Sequence, residues 1–337
     1  MAYTTIDDPT LYFSTTTYTG DGNQNRAVTI DGTGMQPDWL WVKNRSAAEG
    51  HVVGDSVRGA TIRLIPNDNG AEATRATNIA SFTSDGFTVA NGGVDGAVNT
   101  DAATYVSWAW KKVAGVFDIV TYAGNNTGSR QVSHNLGVVP SLIIIKNRTN
   151  ASSWWVGSTE IPFTWNTDYL QLNETAAKGT DGGGHIFGAV PTSSYFVPGD
   201  NNDTNGNSNN YVAYLFGNKQ GVSKVGSYLG NGNADGTYIH LGFKPAFFML
   251  KGVFGEPWLM YDNKRLGYNV RNDQLIANTT GAEDGSTASW YIDILSNGVK
   301  LRGNDTAING TNSAGYIYMA FAENPFVTSG GVPATAR

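Results

Sequence analysis

The segment GMQPDWLWVKNR, residues 34–45, carries much of the architectural information in this chain, because two related segments follow it. They read GVVPSLIIIKNR (137–148) and GFKPAFFMLKGV (242–253). Each has a Gly-x-x-Pro turn signal, a run of large apolar residues and a Lys six positions after the Pro. The apolar residues keep their bulk while changing identity, which favours a buried strand over a specific binding motif. The Lys is interpreted as the point where the strand meets water, with its stem packed and its ammonium exposed.

The repeat covers almost the whole chain. Its anchor prolines, Pro37, Pro140 and Pro245, are separated by 103 and 105 residues. A Tyr that opens a Gly/Asn turn precedes each anchor, and an aromatic alternation such as TYVSWAWKK (104–112) ends each unit. A unit of this length can close its own hydrophobic core, so the pattern predicts tandem domains rather than a solenoid.

Short β-branched and aromatic runs alternate with Gly, Asn and Asp clusters throughout each unit. This pattern is typical of an all-β protein, and we predict three tandem β-sandwich modules of lectin-like or jelly-roll type. The stretch 69–80 is the best candidate for a short helical turn. The predicted divisions are an N-terminal attachment segment (1–17), module 1 (18–113), module 2 (114–220), module 3 (221–326) and a C-terminal tail (327–337).

Composition narrows the classes of function. The chain is 40% hydrophobic and only 15% charged, with a net charge of −6 and no basic cluster, so we expect no nucleic-acid partner. No apolar run is long enough for a membrane span and no signal peptide opens the chain, which predicts synthesis in a cytosol without membrane insertion. Cysteine is absent, which excludes disulfides, thiol catalysis and zinc–thiolate sites.

The four histidines form no recognisable catalytic pattern. His134 and His240 stand just before the Gly-x-x-Pro turn, where the first unit has Asp31. A position that accepts either Asp or His is better explained by turn capping than by general-base catalysis. His51 and His185 have no counterparts in the other units.

Carboxylates could form a glycosidase pair, but the candidates occupy non-equivalent turns, so structural or solvated roles are favoured. We predict no catalytic residue and no cofactor. The carboxylates considered are Glu49, Glu160 and Glu256.

The segment GDNNDTNGNSNN (199–210) places Asp200 and Asp203 among several Asn oxygens, which are ligands that calcium prefers. The ordered spacing of an EF-hand is absent, so a polar hairpin loop is favoured. Asp200 and Asp203 are therefore only weak metal candidates, and no metal site is predicted.

Aromatic side chains give a further indication of function, because flat rings can stack on sugars. Trp154 and Trp258 recur between units and are predicted to be core residues. Trp165 and Trp290 do not recur and are freer to lie at the surface. They are the speculative carbohydrate-binding residues.

Several motifs together resemble a known group of proteins. They are the opening MAYTTIDDPTLYF, the YTGDGN turn, the segment 34–45, DSVRGA (55–60), SDGFTV (84–89) and YVSWAWK. The chain resembles tail-fibre-like or virion-appendage proteins of marine tailed bacteriophages, especially those of short-tailed cyanophages. The third unit departs from the pattern, since Gly252 and Val253 replace the Asn-Arg of the other two units.

The resemblance implies a structural virion component with repeated lectin-like modules that contacts the host surface. We therefore expect a non-enzymatic phage tail-fibre or tail-associated protein that adsorbs to host surface glycans, assembled in the host cytoplasm and located in the virion. Other virion proteins and host polysaccharide are the expected partners, and a homo-oligomer is expected because repeated weak sites gain avidity. The alternatives are a capsid decoration or adaptor protein that binds only virion proteins and, ranked last, a polysaccharide depolymerase.

Overall fold

A computed structural model describes residues 3–32, 34–91, 97–160, 162–266, 268–313 and 315–334. Within these residues the strand pairings are antiparallel, and the only helical elements are two 3₁₀ turns, η1 (Pro9–Leu11) and η2 (Ala288–Trp290). The all-β prediction is confirmed. The helical turn predicted over 69–80 is wrong, because this stretch contains a two-stranded edge pairing and the start of another strand. No helix in the described parts of the chain is long and apolar enough to span a membrane.

The strands fall into three groups of similar arrangement, which we call modules 1, 2 and 3. The first group is β1 (Phe13–Thr19), β2 (Arg26–Thr29), β3 (Trp39–Asn44), β4 (Val52–Asp55), β5 (Gly59–Leu64), β6 (Ala73–Thr74), β7 (Ile79–Thr83), β8 (Gly86–Val89) and β9 (Thr104–Trp110). The second is β10 (Phe117–Ala123), β11 (Val132–Ser133), β12 (Leu142–Asn147), β13 (Trp154–Ser158), β14 (Asp168–Gln171), β15 (Gly179–Thr180), β16 (Tyr195–Phe196) and β17 (Asn210–Phe216). The third is β18 (Ser223–Tyr228), β19 (Tyr238–His240), β20 (Phe243–Gly252), β21 (Leu259–Asp262), β22 (Leu275–Ile276), β23 (Ile292–Leu295), β24 (Gly298–Leu301) and β25 (Tyr316–Pro325).

Each group forms one large sheet and one small sheet. The large sheets have the orders β1-β9-β3-β4-β5-β6, β10-β17-β12-β13-β14-β15 and β18-β25-β20-β21-β22. The small sheets are β2-β8-β7, β11-β16 and β19-β24-β23. In every group the last strand lies between the first strand and the strand that follows the Gly-x-x-Pro turn. The recurring glycine of that turn has a positive φ of 66°, 74° and 79° at Gly34, Gly137 and Gly242, which explains why the position stays glycine.

The large sheets are buried on both faces because their strands alternate between two cores. In β3, Trp39 and Trp41 point into a central core, whereas Leu40 and Val42 pack against the small sheet of module 1. Strands β12 and β20 divide their side chains in the same way. The central core receives residues from all three modules, so the modules share a hydrophobic core in addition to the three cores inside them.

Aromatic rings join the modules within this central core. Trp39 stacks on Tyr214 of module 2 with ring centroids 4.8 Å apart. Trp110 and Phe216, the last residues of β9 and β17, both contact Phe321 of β25, at 5.6 and 6.1 Å. These three residues are equivalent, so each module contributes one ring to the same point. The modules therefore surround a common axis and do not form a linear array.

The recurring turn tyrosines hold each module together at one end of its large sheet. Tyr18 stacks on Tyr105 at 5.0 Å and donates a hydrogen bond to the Val98 carbonyl. The neighbouring Asn99 is fully buried, and its amide donates to Asp21 and to the Asn23 carbonyl. The same contacts recur at Tyr122 with Asn205 and at Tyr228 with Asn309.

Equivalent hydrogen bonds close the three modules into a ring. The Trp154 indole of module 2 donates to the Ile65 carbonyl of module 1 at 3.0 Å, and the Trp258 indole of module 3 donates to the Gln171 carbonyl of module 2 at 2.9 Å. At the third boundary, His51 of module 1 contacts the Ile276 carbonyl of module 3 at 3.1 Å. We call these boundaries the 1–2, 2–3 and 3–1 seams. Trp154 and Trp258 are buried, so their predicted core role is confirmed.

Two of the seams carry ion pairs. Arg148 binds Glu72 across the 1–2 seam at 2.8 Å, and Arg45 binds Glu283 across the 3–1 seam at 2.9 Å. The corresponding residues at the 2–3 seam are Val253 and Lys178, which meet only through a backbone hydrogen bond of 2.7 Å. The Arg-to-Val departure in the third repeat is therefore matched by a Glu-to-Lys change in the neighbouring module.

A second kind of charged contact is also found at the 1–2 and 3–1 seams and not, among the described residues, at the 2–3 seam. In module 1, Asp55 and Arg58 form a buried pair at 2.6 Å, and Tyr214 of module 2 donates to the same carboxylate at 2.8 Å. In module 3, Asp262 and Arg265 form a pair of the same length, and the indole of Trp108 in module 1 donates to Asp262. The equivalent positions at the 2–3 seam are Ser158 and Met319, which carry no charge.

The repeat lysines lie inside the protein, so the prediction of exposed ammonium groups is wrong. They have the same strand parity as Trp39 and Trp41, which directs them to the central core. Lys43, Lys146 and Lys251 are fully buried, and each donates at 3.2 Å to a carbonyl of the neighbouring module, at Thr280, Asn69 and Thr175 respectively. Burial lowers the pKa of each ammonium to about 8.

The N-terminal residues belong to the folded body. Phe13–Thr19 is strand β1, so residues 13–17 of the predicted attachment segment (1–17) are part of module 1. Earlier residues bind module 3 and the segment that follows it: the Tyr3 hydroxyl donates to the Gly242 carbonyl at 2.6 Å, and Asp7 accepts from Ser329 of the predicted C-terminal tail at 2.5 Å. The segment therefore fastens the first module to the last across the 3–1 seam.

We predict that the free energy of unfolding rises between pH 8 and pH 10. In this window the three buried lysines are largely neutral in the folded state, while the unfolded chain still binds their protons. Stability therefore rises with pH, by at most about 1.4 kcal/mol per pH unit for each lysine. Above pH 10 it falls again, because burial raises the pKa of Tyr18, Tyr122 and Tyr228 well above the ordinary value of 10. Urea denaturation at pH 7.5, 8.5, 9.5 and 11 measures this, and a flat curve from 8.5 to 9.5 would contradict it.

We also predict that the seam arginines stabilise the fold more than an arginine outside the seams. Replacing Arg148 or Arg45 by Leu leaves Glu72 or Glu283 with one fewer charged partner in a half-buried site, and we expect a loss of about 1–2 kcal/mol each. Arg75→Leu, at an exposed arginine of module 1, is the control and should cost less than about 0.5 kcal/mol. Equal effects of the three substitutions in urea denaturation would show that the ion pairs do not stabilise the seams.

Candidate functional site

A cleft lies in module 1 beside the 3–1 seam. It has a volume of about 410 Å³, within the range of small-molecule sites. Its walls are the β3–β4 turn around Glu49, the loop that follows β5, and Thr280 of module 3. We call it the module 1 cleft. Its polar side chains are Glu49, Arg63, Asn67 and Asp68.

Module 2 holds one wall of the cleft in place. The loop after β5 turns back on itself through a hydrogen bond from the Asp68 amide to the Ile65 carbonyl, at 3.1 Å. The Trp154 indole then donates to the carbonyls of both residues, at 3.0 and 3.1 Å. Lys146 donates to the Asn69 carbonyl, the next one along the loop. The backbone of this loop is therefore fixed from behind. Asn67 and Asp68 line the cleft, and the Asp68 carboxylate also accepts from the Gly70 amide at 2.5 Å.

The opposite wall is held by a buried lysine. The Lys43 ammonium donates to the Ala47 carbonyl in the β3–β4 turn at 3.4 Å and to Thr280 of module 3 at 3.2 Å. The His51 amide donates to the Asn67 side chain at 2.7 Å and links the two walls. All three modules therefore contribute contacts that fix the walls of the cleft.

His51 is a structural residue beneath the cleft. It is fully buried, and its Nδ1 accepts a hydrogen bond from the Trp41 indole at 2.8 Å. Because an indole can only donate, Nε2 carries the ring proton and donates to the Ile276 carbonyl. Burial holds the pKa of His51 well below its ordinary value. The Trp41–His51 pair thus makes the seam contact that a single Trp makes in modules 2 and 3.

The two tryptophans predicted to bind carbohydrate do not form a shared surface. Trp165 is only 5% exposed, packs on Phe187 at 5.0 Å and donates to the Ala189 carbonyl, so the prediction of a surface ring is wrong for this residue. Its ring fills the core of module 2 between the two sheets. Trp290 is half-buried against the core of module 3. The structure places the two residues in different modules, and neither lines the module 1 cleft.

The weak metal candidates bind other side chains. Asp200 accepts from His185 Nδ1 at 2.6 Å, and this hydrogen bond raises the pKa of the histidine. Asp203 accepts from the Ser152 hydroxyl at 2.7 Å. Among the residues that the structure describes, no group of three or more His, Asp or Glu side chains could hold a metal ion.

The capping interpretation holds for one histidine of the Gly-x-x-Pro turn and not for the other. His134 Nδ1 accepts from the Leu136 amide at 3.2 Å, which is a turn cap, and burial lowers its pKa. His240 is exposed, and its ring contacts the Tyr238 hydroxyl at 3.3 Å. It lies on the surface of module 3 beside a smaller cleft.

The three carboxylates considered for glycoside hydrolysis are not brought together. Glu49 lines the module 1 cleft. Glu160 accepts from the Asn218 amide at 3.0 Å, at the connection between modules 2 and 3. Glu256 lies in the β20–β21 turn, where its carbonyl accepts from Lys251. Sequence reasoning singled out Glu49 without its neighbours Arg63, Asn67 and Asp68, since only the folded loop after β5 brings these residues to the same cleft.

We predict that Trp154 controls the order of the cleft loop. Trp154→Phe keeps the aromatic ring but removes the N–H that binds the Ile65 and Asp68 carbonyls. Amide hydrogen exchange in residues 65–70 should accelerate at least tenfold, which mass spectrometry of the matching peptide detects. Trp155→Phe is the control, because that indole faces the other side of β13 and donates to Ser152. Equal exchange in both variants would mean that the loop is ordered without the indole.

The chain was compared with known families, curated proteins and solved structures. No curated protein and no solved structure matches it. One family model does match, over residues 8–325, and it therefore includes the strands of all three modules. The chain belongs to this family, which is described as a domain of unknown function, DUF7483.

Proposed function

We propose that this protein is a non-enzymatic structural component of a phage virion, in or on the tail fibre, and that it binds host surface glycans through the module 1 cleft. The main support for the binding proposal is the module 1 cleft, whose walls are fixed by Trp154, Lys146 and Lys43. The resemblance of the sequence to tail-fibre-like proteins supports the virion assignment.

The chemistry of the cleft suits a polar, uncharged ligand. Glu49 and Asp68 can accept hydrogen bonds from hydroxyl groups, Arg63 can donate them, and Asn67 can do both. Charged side chains of both signs line the same space. A neutral ligand with many hydroxyl groups can form hydrogen bonds with both kinds, whereas an ion would be repelled by the side chains of its own sign. Sugars have this pattern of hydroxyl groups.

The fold supports a mechanical role beside the binding role. The three modules share a core, and their seams use buried indole, lysine and ion-pair contacts. Modules joined in this way keep their relative orientation, which an adhesion protein needs when it transmits contact from a cell surface to a virion. Oligomers would multiply weak single-site affinities.

A capsid adaptor that binds only virion proteins is the second candidate. The closed arrangement of three similar modules favours it, because such a body can offer three similar contacts to a partner with threefold symmetry. Labelling of intact particles separates the two proposals: a location confined to capsid faces supports the adaptor, and a location on the tail supports the fibre.

The binding proposal predicts recognition of neutral bacterial surface glycans. The full chain, fluorescently labelled, is applied to an array of O-chain and capsular polysaccharides, and we expect saturable binding to a subset. Glu49→Gln and Asp68→Asn keep the shape of the cleft and change two of its hydrogen-bond acceptors, so each should weaken binding at least tenfold. Glu256→Gln, in the corresponding turn of module 3, is the control.

Two outcomes would overturn this proposal. Absence of saturable binding on the array contradicts glycan adsorption, and binding that survives both substitutions contradicts the assignment to this cleft. Release of reducing ends from a bound polysaccharide would support the depolymerase alternative, which we rank last.

A further inference from the structure

The second residue of the first strand differs in charge between the three modules. Ser14, Asp118 and Lys224 each precede the turn tyrosine by four residues and pair with the same place on the last strand. They are therefore equivalent, and each lies near the turn that carries Asp31, His134 or His240. A comparison of the three sites shows which charges are neutralised within the protein.

At the positions in modules 1 and 2 the charged groups form ion pairs with residues of a neighbouring module. Near Ser14, the Asp31 carboxylate pairs with Lys264 at 3.3 Å. In module 2, Asp118 pairs with Lys112 at 3.2 Å and also accepts from the Asn135 amide at 2.7 Å. In both sites a carboxylate and an ammonium are in direct contact.

Module 3 has the opposite charge and a cleft. Lys224 replaces the aspartate, and its ammonium donates to the His240 carbonyl at 2.7 Å. A cleft of about 270 Å³ opens beside it, lined by Lys219, Lys224, His240 and Tyr3 among others. We call it the module 3 cleft. Among the described residues, no carboxylate forms an ion pair with either lysine.

One carboxylate acts on this site without forming an ion pair. Glu160 attracts the Lys224 ammonium and accepts a hydrogen bond from the Asn218 amide at 3.0 Å, and its single charge can offset only one of the two lysines. The described lining of the cleft thus includes two lysines and a histidine and no carboxylate, in a chain whose net charge is −6. A local excess of positive charge in a concave site concentrates anions.

We propose that the module 3 cleft binds an anionic group carried by a sugar residue, either a carboxylate or a phosphate. Lys219 and Lys224 supply the charge, and Lys224 keeps two N–H groups beyond the one that binds His240. The volume of the cleft suits a single sugar residue. Tyr238, which is 43% exposed, stands beside His240 and offers a ring against which an apolar sugar face can pack.

This site deepens the proposed function, on which its biological role rests, but its chemistry is separate from that of the module 1 cleft. The module 1 cleft combines both signs of charge and suits neutral hydroxyl groups. The module 3 cleft has an excess of one sign. A chain with both sites would discriminate acidic surface polysaccharides from neutral ones and would hold two parts of a glycan at once.

The test is an NMR titration of the full chain with D-glucuronate, glucose 6-phosphate and glucose. We expect both anions to bind at least tenfold more tightly than glucose, with shifts confined to the amides around Lys219, Lys224 and His240. The comparison of the two anions distinguishes a carboxylate site from a phosphate site. Added sodium chloride should weaken both.

Two variants complete the test, one that removes the site and one that serves as its control. The double variant Lys219→Gln, Lys224→Gln should bind the anions no better than glucose. Lys112→Gln, at the equivalent connection between modules 1 and 2, should leave anion binding unchanged, because that lysine is already paired with Asp118.

Three results overturn the proposal: equal affinity for glucuronate, glucose 6-phosphate and glucose, anion binding that survives the double substitution, or shifts that map to another surface. Its failure is distinguishable from that of the proposed function, because Glu49→Gln should leave the anion titration unchanged. Anion binding without any binding on the glycan array would uphold this site while contradicting the adhesion proposal.

Discussion

The shared central core is the constraint on which the rest of this structure depends. Each large sheet has a second apolar face that its own small sheet cannot cover, and the three faces cover one another around a common axis. Burial of apolar area is the dominant favourable contribution to folding, so separating the modules would expose three such faces to water. The rigidity of the body, the close approach of the seams and the positions of the clefts all follow from this arrangement.

Polar groups at the margin of the core determine which module faces which. The buried lysines and the indoles of Trp154 and Trp258 satisfy backbone carbonyls of the neighbouring module, so the seams leave few polar atoms without a partner. The ion pairs add specificity. An exchange of neighbours would place Lys178 against Arg45 or Arg148, and like charges in a half-buried site are unfavourable. The chain encodes the order of its modules in the charge differences between them.

The sites suited to function lie where the repeats differ. The module 1 cleft uses a turn and a loop whose counterparts in modules 2 and 3 have other side chains, and its floor contains His51 where the other modules have Trp. The module 3 cleft appears where Lys224 stands at the position of Asp118, so that no ion pair equivalent to Lys112–Asp118 forms among the described residues. In both cases the scaffold is common to the three copies, and a few substitutions convert an equivalent position into a concave polar surface.

Much of this could be predicted from the chain alone. The repeat, the strand content and the core role of Trp154 and Trp258 follow from local signals, since turn residues and apolar alternation act over a few positions. The prediction of a helical turn over 69–80 failed because local signals do not show that residues of this stretch pair with a neighbouring strand. The surface assignment of Trp165 failed because absence from the other repeats says nothing about burial.

The buried lysines show most clearly which features the sequence pattern can predict and which require the tertiary structure. Strand parity in the sequence placed Lys43, Lys146 and Lys251 on the same face as the buried tryptophans and isoleucines. Parity could not show what covers that face, because the cover is another module about a hundred residues away along the chain. The sequence by itself determined three similar β modules and the alternation of their strands. Only the tertiary structure decided that they share a core, bury their lysines and assemble the clefts, because these features depend on contacts between distant residues that no local pattern records.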